Sequence, residues 1–598
     1  MSGPETMTAG ERRRAKREWV LKIVLLGGIT VLLVLFLAPT ANRITAGLRY
    51  PYQMDKEEGF VLWQAWQLRH GHNIFRPLNS PPYVAATYGP LYPLVSAAFL
   101  WGKTPSFFGG RLIAALSVIA ICFFMAGIIW RETGQALAAL LGPLLFLNSY
   151  EVYQWLPFYR VDFSALALGM AGLWLLSSDA RADGEDEQAA RSRKRRWRVA
   201  CACFVAMVYT RQVELAPLLA ALIYFFLTDR PAGWRLLRNV AGWGLGIAAV
   251  LTLLTRGQFL VHNIYYNANE FSAWQLKTVL VGRTLENGRF IGGHFYLFNR
   301  FLTVALLVSL AWFVLERFAP HANEPPAEPA TNGGRDEWGH LSLFALYAVV
   351  ASIGILGLGK TGAAMNYLIE PRAAWALFIA LVVGRTIRPS PATGRVFGRR
   401  PIFFPVAIVL LLHAFEFVCS STVFPAFGPY LLGMESGRGP ARLIQQPAIR
   451  SYILTRPQVL LSRENRNPNR RDVINGDQVV EALRQARGPV FCEQPIFPML
   501  VGQDIYIQPF IMSELAREGK WDQTPAIKAI RQKHFALLVT TEDIVKEGFF
   551  FSYTDEMVAA IREAYRLSET MGGPPTEPPI FTHYLFEPRP PSRFEKPK

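Results

Sequence analysis

Three carboxylates crowd into the run Met54-Asp-Lys-Glu-Glu-Gly59, between the first two apolar stretches of a chain that is otherwise poor in charge. Asp55, Glu57 and Glu58 are costly to hold at an apolar surface without a task, because a carboxylate there loses solvation unless something partners it. Carboxylates can move protons or bind cations; the alternative is a solvated loop whose acids face water. If the run is helical, Asp55 and Glu58 lie three apart and share a face, with Trp63 and Trp66 as interface anchors. The segment Pro81-Pro-Tyr-Val-Ala-Ala-Thr-Tyr-Gly-Pro-Leu-Tyr-Pro93 then re-enters the apolar phase through prolines and tyrosines, poised to close over the acids.

Other charges stand at the ends of apolar stretches. Arg160 and Asp162 open one span, as a buried ion pair or as support for a site. Arg211 lies between two short apolar halves, where a charge is expensive unless partnered by Glu214 or by a ligand. Lys360 sits in a glycine-rich loop followed by Asn366, Tyr367 and Glu370. It reads either as a side chain snorkelling to water or as a phosphate contact, with glycines at 357, 359 and 362 letting backbone approach a ligand. His262 and His294 flank a loop containing Tyr265, Tyr266 and Asn267; so far apart, they are weak metal ligands and read as interface residues.

The elements that must position these residues are membrane helices. At 598 residues, 51% hydrophobic and 13% aromatic with only 18% charged, the chain is too apolar for a soluble protein. The net charge of +17 collects in Arg12-Arg-Arg-Ala-Lys-Arg17, in Arg191-Ser-Arg-Lys-Arg-Arg-Trp-Arg198 and around residues 385–400. Each abuts an apolar segment, the pattern of positive-inside retention; no soluble basic domain carries these runs, so nucleic acid is not an expected partner. Of the five cysteines, Cys122, Cys201, Cys203 and Cys419 lie in apolar segments and Cys492 on an expected strand, so no disulfide framework is implied. Residues 20–38 form an anchor rather than a cleaved signal.

Further apolar stretches fall at 88–101, 107–130, 135–150, 162–176, 199–209, 213–227, 240–255, 295–318, 340–358, 373–387 and 402–424. If the first two basic runs are both cytoplasmic, an even number of spans separates them, yet five apolar segments lie between. The stretch at 88–101, short and broken by Pro90 and Pro93, is the expected exception. About eleven spans then remain. Residues 55–88, 154–160, 257–292 and 359–372 share the extracytoplasmic face with the C-terminal tail. The expected organisation is a cytoplasmic segment 1–18, a transmembrane domain 19–425 with a first loop at about 42–88, and an extracytoplasmic α/β domain 426–598. Strands are expected at 489–493, 535–541 and 581–586, and helices at 512–518, 524–533 and 554–565, the second opened by Thr524-Pro525 as N-cap and first turn. The domain shows no nucleophile elbow, phosphate loop or metal spacing and reads as a packed cover for the membrane face.

The order of these motifs resembles the GT-C glycosyltransferases. Asp55-x-x-Glu58-Gly59, a helix ending at Gly71, Pro81-Pro-Tyr83 and Tyr88-Gly-Pro-Leu-Tyr92 are similar to the first-loop pattern of the protein O-mannosyltransferase and lipid A aminoarabinose transferase branch. The resemblance continues through Arg160-Val-Asp162, Thr210-Arg-Gln212, Lys360-Thr-Gly-Ala-Ala-Met-Asn-Tyr-Leu-Ile-Glu370, and the tail's Pro509-Phe510 and Leu515-Ala-Arg-Glu-Gly-Lys-Trp-Asp522. It implies a mainly α, polytopic membrane enzyme that moves a sugar from a polyprenyl-phosphate donor to a lipid, glycan or protein acceptor at the outer face, with inversion. It assigns Asp55 as general base, with Glu58 positioning it or binding a divalent ion if one is used, and leaves Glu57 a solvated bystander. Lys360 and Arg211 would bind the donor phosphate; Arg160, Asp162, Tyr88, Asn366, Tyr367 and Glu370 would support the site. The insertion of Lys56 and Glu57 between the acids departs from the family pattern and leaves open which acid is the base. The alternatives are a polyprenyl-linked glycan transporter and a non-catalytic membrane scaffold; charges gathered at span ends on one side favour surface chemistry over transport.

Overall fold

The computed structural model describes residues 9–35, 37–177, 187–284, 290–292, 300–318, 339–387, 402–420, 467–548, 550–572 and 579–590. Among them, five helical segments are long and apolar enough to cross a membrane: Arg13–Arg49, Phe108–Thr133, Arg230–Leu254, His340–Gly359 and Met365–Ile387. Shorter apolar helices include Ala136–Leu147, Asp162–Ser177 and Ala216–Thr228. Every long apolar stretch of the sequence carries a helix. In the stretch at 88–101 that helix, Leu91–Ala97, has only seven residues. At 1.5 Å per residue it reaches only about 10 Å, far too short to cross.

Composition decides which helix is central. Ile369–Ile387 is apolar on all sides, and nearly every residue from Ile369 to Gly384 is buried, as expected of a helix with no lipid-facing stripe. Arg230–Leu254 instead leaves Trp243, Leu245 and Leu253 exposed and sits at the periphery. The N-terminal helix runs past the expected anchor: Leu37–Arg49 continues it, and the fully buried Arg43 donates to the carbonyls of Gln154 and Leu156. The segment 154–160 begins inside a short helix, Tyr150–Trp155, that is buried along its whole length.

The tail is α/β. Four strands, β1 (Val490–Cys492), β2 (Leu537–Thr540), β3 (Tyr565–Met571) and β4 (His583–Pro588), form one sheet in the order β1-β2-β4-β3. β1 and β2 are parallel and the other pairs antiparallel. The expected strands are β1, β2 and β4; β3 was hidden because Arg566 to Thr570 are exposed, which gives a polar edge rather than an apolar run. The expected helices appear as Pro509–Arg517, Thr524–Arg531 and Asp555–Ala564. Thr524 is the first helical residue rather than the cap, a role that Gln523 occupies. The stretch 421–466, which holds the expected start of the domain, and His294 lie outside the described residues.

The tail packs onto the first loop through backbone as well as side chains. Tyr83 N–H donates to Tyr506 O at 2.8 Å and Gln508 N–H to Tyr83 O at 2.9 Å, pairing the re-entrant segment with the tail like two strands. Trp521 Nε1 donates to Leu78 O at 3.0 Å. The loop acids are therefore held between the membrane helices below and the tail above.

Candidate active site

The acidic run ends in a turn that feeds the helix Glu58–Arg69. Glu58 is wholly buried, and both its oxygens are spent. Arg111 donates Nε to Oε1 at 3.1 Å and Nη2 to Oε2 at 2.9 Å; the backbone N–H groups of Met54, Asp55 and Tyr159 donate at 2.7, 3.3 and 2.6 Å. Arg111 in turn donates to the carbonyls of Gly47, Tyr50 and Tyr52. The pair ties four chain segments together. Gly110 makes it reachable, since a Cβ there would lie 2.0 Å from the Tyr159 ring.

This geometry corrects one role assigned to Glu58. A carboxylate with five donors, two of them from one bidentate arginine, has no lone pair to give a metal ion. Nor do the described residues contain a group of three or more His, Cys, Asp or Glu side chains that could hold one. Among the described residues, Glu58 and its neighbours therefore do not form an all-protein site for a divalent ion. Through the Asp55 N–H, Glu58 instead positions the neighbouring acid.

Asp55 is half-buried, and its hydrogen bonds fall on Oδ2, which accepts from Arg160 Nη1 at 3.0 Å and from Glu57 N–H at 3.2 Å. Oδ1 takes part in none of them among the described residues, leaving it for a proton. Burial pushes the Asp55 carboxyl above its usual range, against the opposing pull of Arg160. Burial also raises Glu57, to about 7. Glu57 is not the solvated bystander expected: it is half-buried and accepts from Gln508 Nε2 at 2.7 Å. Lys56 reaches the other way, to Glu493 at 3.1 Å and Glu542 at 3.0 Å in the tail.

Arg160 links Asp55 to a cavity of about 90 Å³ that Arg160, Arg211, Lys360, Tyr88, Asn366 and Tyr367 all line. Sequence-distant residues singled out as phosphate-binding or supporting thus converge. Arg160 Nη2 donates to Tyr88 Oη at 3.0 Å. Asp162 is the hub behind them: Oδ1 accepts from Asn366 Nδ2 at 2.7 Å and faces Arg211 Nη1 at 3.3 Å, while Oδ2 accepts from Trp155 Nε1 at 3.0 Å. Arg211 also pairs with Glu214 at 2.5 Å and lies over the Tyr367 ring, so two carboxylates already balance it. Glu370 is buried beside Glu214 and Arg211 and does not line the cavity.

Lys360 differs. Its Nζ donates to the neutral Asn267 Oδ1 at 2.5 Å, and no carboxylate ion-pairs with it among the described residues. Burial lowers its pKa to about 8. The loop that carries it is pinned by Thr361 N–H to Glu270 O at 2.8 Å and by Gln275 Nε2 to Lys360 O at 2.9 Å. Close approach needs glycine at 359, where a Cβ would lie 2.3 Å from the Phe271 ring. Gly362 has a φ of +79°, a conformation that side chains disfavour.

Several contributors were not singled out in the sequence. Arg111 was a lone charge at the start of an apolar span, beside Gly109-Gly110, and that misplaced charge was the available signal. Asn267 was noted only as part of a loop. Phe510, Ile511, Glu514 and Leu515 of the tail form one wall of the cavity, so the tail is part of the site and not only a cover. His262 is structural: its buried ring accepts from Ala86 N–H at 2.9 Å and reaches Arg76 O at 2.8 Å, and burial lowers its pKa to about 4.

No protein-family model and no curated protein sequence matches the chain. Among solved structures, ArnT from Cupriavidus metallidurans bound to undecaprenyl phosphate is similar over 93% of this chain and 98% of its own, with a TM-score of 0.53 and 14% identity. The apo form of that protein gives 0.53 at 13% identity, over 92% and 97% of the two chains. The archaeal oligosaccharyltransferase AglB from Archaeoglobus fulgidus, in complex with an inhibitory peptide and a dolichol-phosphate, gives 0.50 at 12% identity, over 96% of this chain and 75% of its own. Both proteins are members of the GT-C superfamily. At such identities the likeness is one of fold, and the chain has the GT-C membrane fold with a C-terminal α/β domain.

Proposed function

We propose that the protein is a membrane glycosyltransferase that moves a sugar from a polyprenyl-phosphate donor to an acceptor hydroxyl at the extracytoplasmic face, with inversion. The observation that carries this reading is the convergence of Lys360, Arg160 and Arg211 on one cavity, with Asp55 held on Arg160. The fold neighbours, one bound to undecaprenyl phosphate and one in complex with a dolichol-phosphate, support a lipid-phosphate donor.

In this mechanism the acceptor oxygen attacks the anomeric carbon from the face opposite the phosphate. The bond from that carbon to the phosphate oxygen breaks, and its electron pair leaves with the polyprenyl phosphate. The acceptor proton goes to Asp55 Oδ1, whose raised pKa suits it to the task. Lys360 meets the charge that grows on the leaving phosphate, because among the described residues it is the cavity cation not already matched by a carboxylate. Arg160 holds Asp55 in place, and Arg211 supports the phosphate from its paired position. Glu58 acts through Asp55 and not on substrate.

The test is a transfer assay with purified full-length protein and a panel of polyprenyl-phosphate sugars. Release of polyprenyl phosphate with any donor supports the enzyme. If donors bind without being turned over, the transporter reading replaces it; if none binds, the scaffold reading does.

A further inference from the structure

The four helices that meet at the candidate active site also frame a second cavity at their opposite ends. Asp162–Ser177 brings Asp162 to the site and Ser177 to this cavity, and Ala216–Thr228 leads from the site to Asp229. Glu187–Thr210 contributes its basic first half here, and His340 comes from the start of Gly339–Gly354. Thirteen residues of Ala216–Thr228 at 1.5 Å each put the two cavities about 20 Å apart. The second has a volume of about 680 Å³, within the range of small-ligand sites.

Its lining has two parts. Arg193, Lys194, Arg198 and Arg235 bring four permanent cations to it, and Asp229 the one carboxylate among its described lining residues. The Asp229 side chain is already engaged, with Oδ1 accepting from Ala232 N–H at 3.1 Å as a helix cap. Lys194 and Arg198 are one turn apart on one helix, where like charges repel. Beneath them Trp197 packs on Phe225 at 5.1 Å between ring centres, with Arg235 over the Trp197 ring at 5.8 Å. A basic rim over an aromatic floor, at the ends of membrane helices, matches an anion that carries its own apolar chain.

We infer that this cavity binds the phosphate of an anionic phospholipid from the leaflet opposite the candidate active site. The phosphate relieves the repulsion among Lys194, Arg198 and Arg235, and the first carbons of the chains cover Trp197 and Phe225. Free phosphate would satisfy the rim but leave the aromatic floor uncovered. The inference does not depend on sugar transfer.

Native mass spectrometry of the full-length protein in detergent tests it, titrating phosphatidylglycerol, phosphatidylcholine and inorganic phosphate. Arg198→Gln/Arg235→Gln is compared with Arg13→Gln/Arg14→Gln, which removes the same charge from the N-terminal basic run. All four side chains are exposed, so folding is not at stake. Phosphatidylglycerol adducts on the wild type are expected to weaken roughly tenfold or more in Arg198→Gln/Arg235→Gln, each juxtamembrane cation counting for about 1 kcal/mol, and to persist in the control. Equal loss in both variants would reduce the effect to diffuse surface charge and overturn the site. So would equal binding of phosphatidylcholine, or displacement of the lipid by millimolar inorganic phosphate.

Discussion

Glu58→Gln separates a structural acid from a reacting one. The substitution nearly preserves shape but removes the charge that faces Arg111, and both side chains are completely shielded from solvent. It also replaces one acceptor oxygen by an amide N–H₂, pointing donors at donors among Arg111, Met54, Asp55 and Tyr159. Breaking a buried pair by removing one partner costs about 3–5 kcal/mol, because the surviving charge is left uncompensated. Part of this returns through the Arg111 bonds to the carbonyls of Gly47, Tyr50 and Tyr52, so the lower end, about 3 kcal/mol, is expected. The assay is equilibrium unfolding of the purified protein in mixed micelles, followed by circular dichroism and compared with Asp55→Asn. Asp55 is partly exposed and has one ion-pair partner among the described residues, so Asp55→Asn should cost only about 1 kcal/mol. A Glu58→Gln protein as stable as wild type yet selectively inactive would refute the keystone role and make Glu58 a reacting group.

Other expectations follow from the same geometry. Glu57 holds its proton to about pH 7 in the folded protein but only to the usual Glu range, about 4.3, when unfolded. Between these values the folded state binds more protons, so stability falls as pH rises through the window and stays low above it. Glu57→Gln should flatten that slope in thermal melts from pH 4 to 8; an unchanged slope would place the titration elsewhere. Lys360 loses its proton near pH 8, so affinity for polyprenyl phosphate should drop between pH 7 and 9 and persist to higher pH in Lys360→Arg, as read by lipid-binding titration. Lys56→Met removes the partner of Glu493 and Glu542. With Lys56 itself partly screened by solvent, it should cost about 1–2 kcal/mol and speed proteolysis between loop and tail. Protease resistance equal to wild type would show that the backbone pairing of Tyr83 with the tail suffices.

What the sequence disclosed follows from what is local. Apolar length located the helices, and the prolines at 90 and 93 singled out a stretch whose helix, Leu91–Ala97, is too short to cross. Short buried apolar runs located three tail strands, while β3, polar on its exposed residues, carried no such signal. Among charged residues, type and position drew attention to Arg160, Arg211 and Lys360, which line one cavity, and to Asp55, which pairs with Arg160. Pairing was not legible. Arg111 meets Glu58 across 53 positions and Gln508 meets Glu57 across 451, and no periodicity encodes such partners. For this reason Glu57 looked solvated and Glu58 open to a metal ion; the fold buries Glu58 in a saturated pair and gives Glu57 a raised pKa beside Arg160.

The most direct measurement is the rate of polyprenyl-phosphate release from one turned-over donor by wild type and by Asp55→Asn, at matched fold and saturating acceptor. A general base at Asp55 predicts a loss of about 10²–10⁴-fold with donor binding unchanged, since Lys360, not Asp55, meets the phosphate. Release at the wild-type rate in Asp55→Asn would contradict the account.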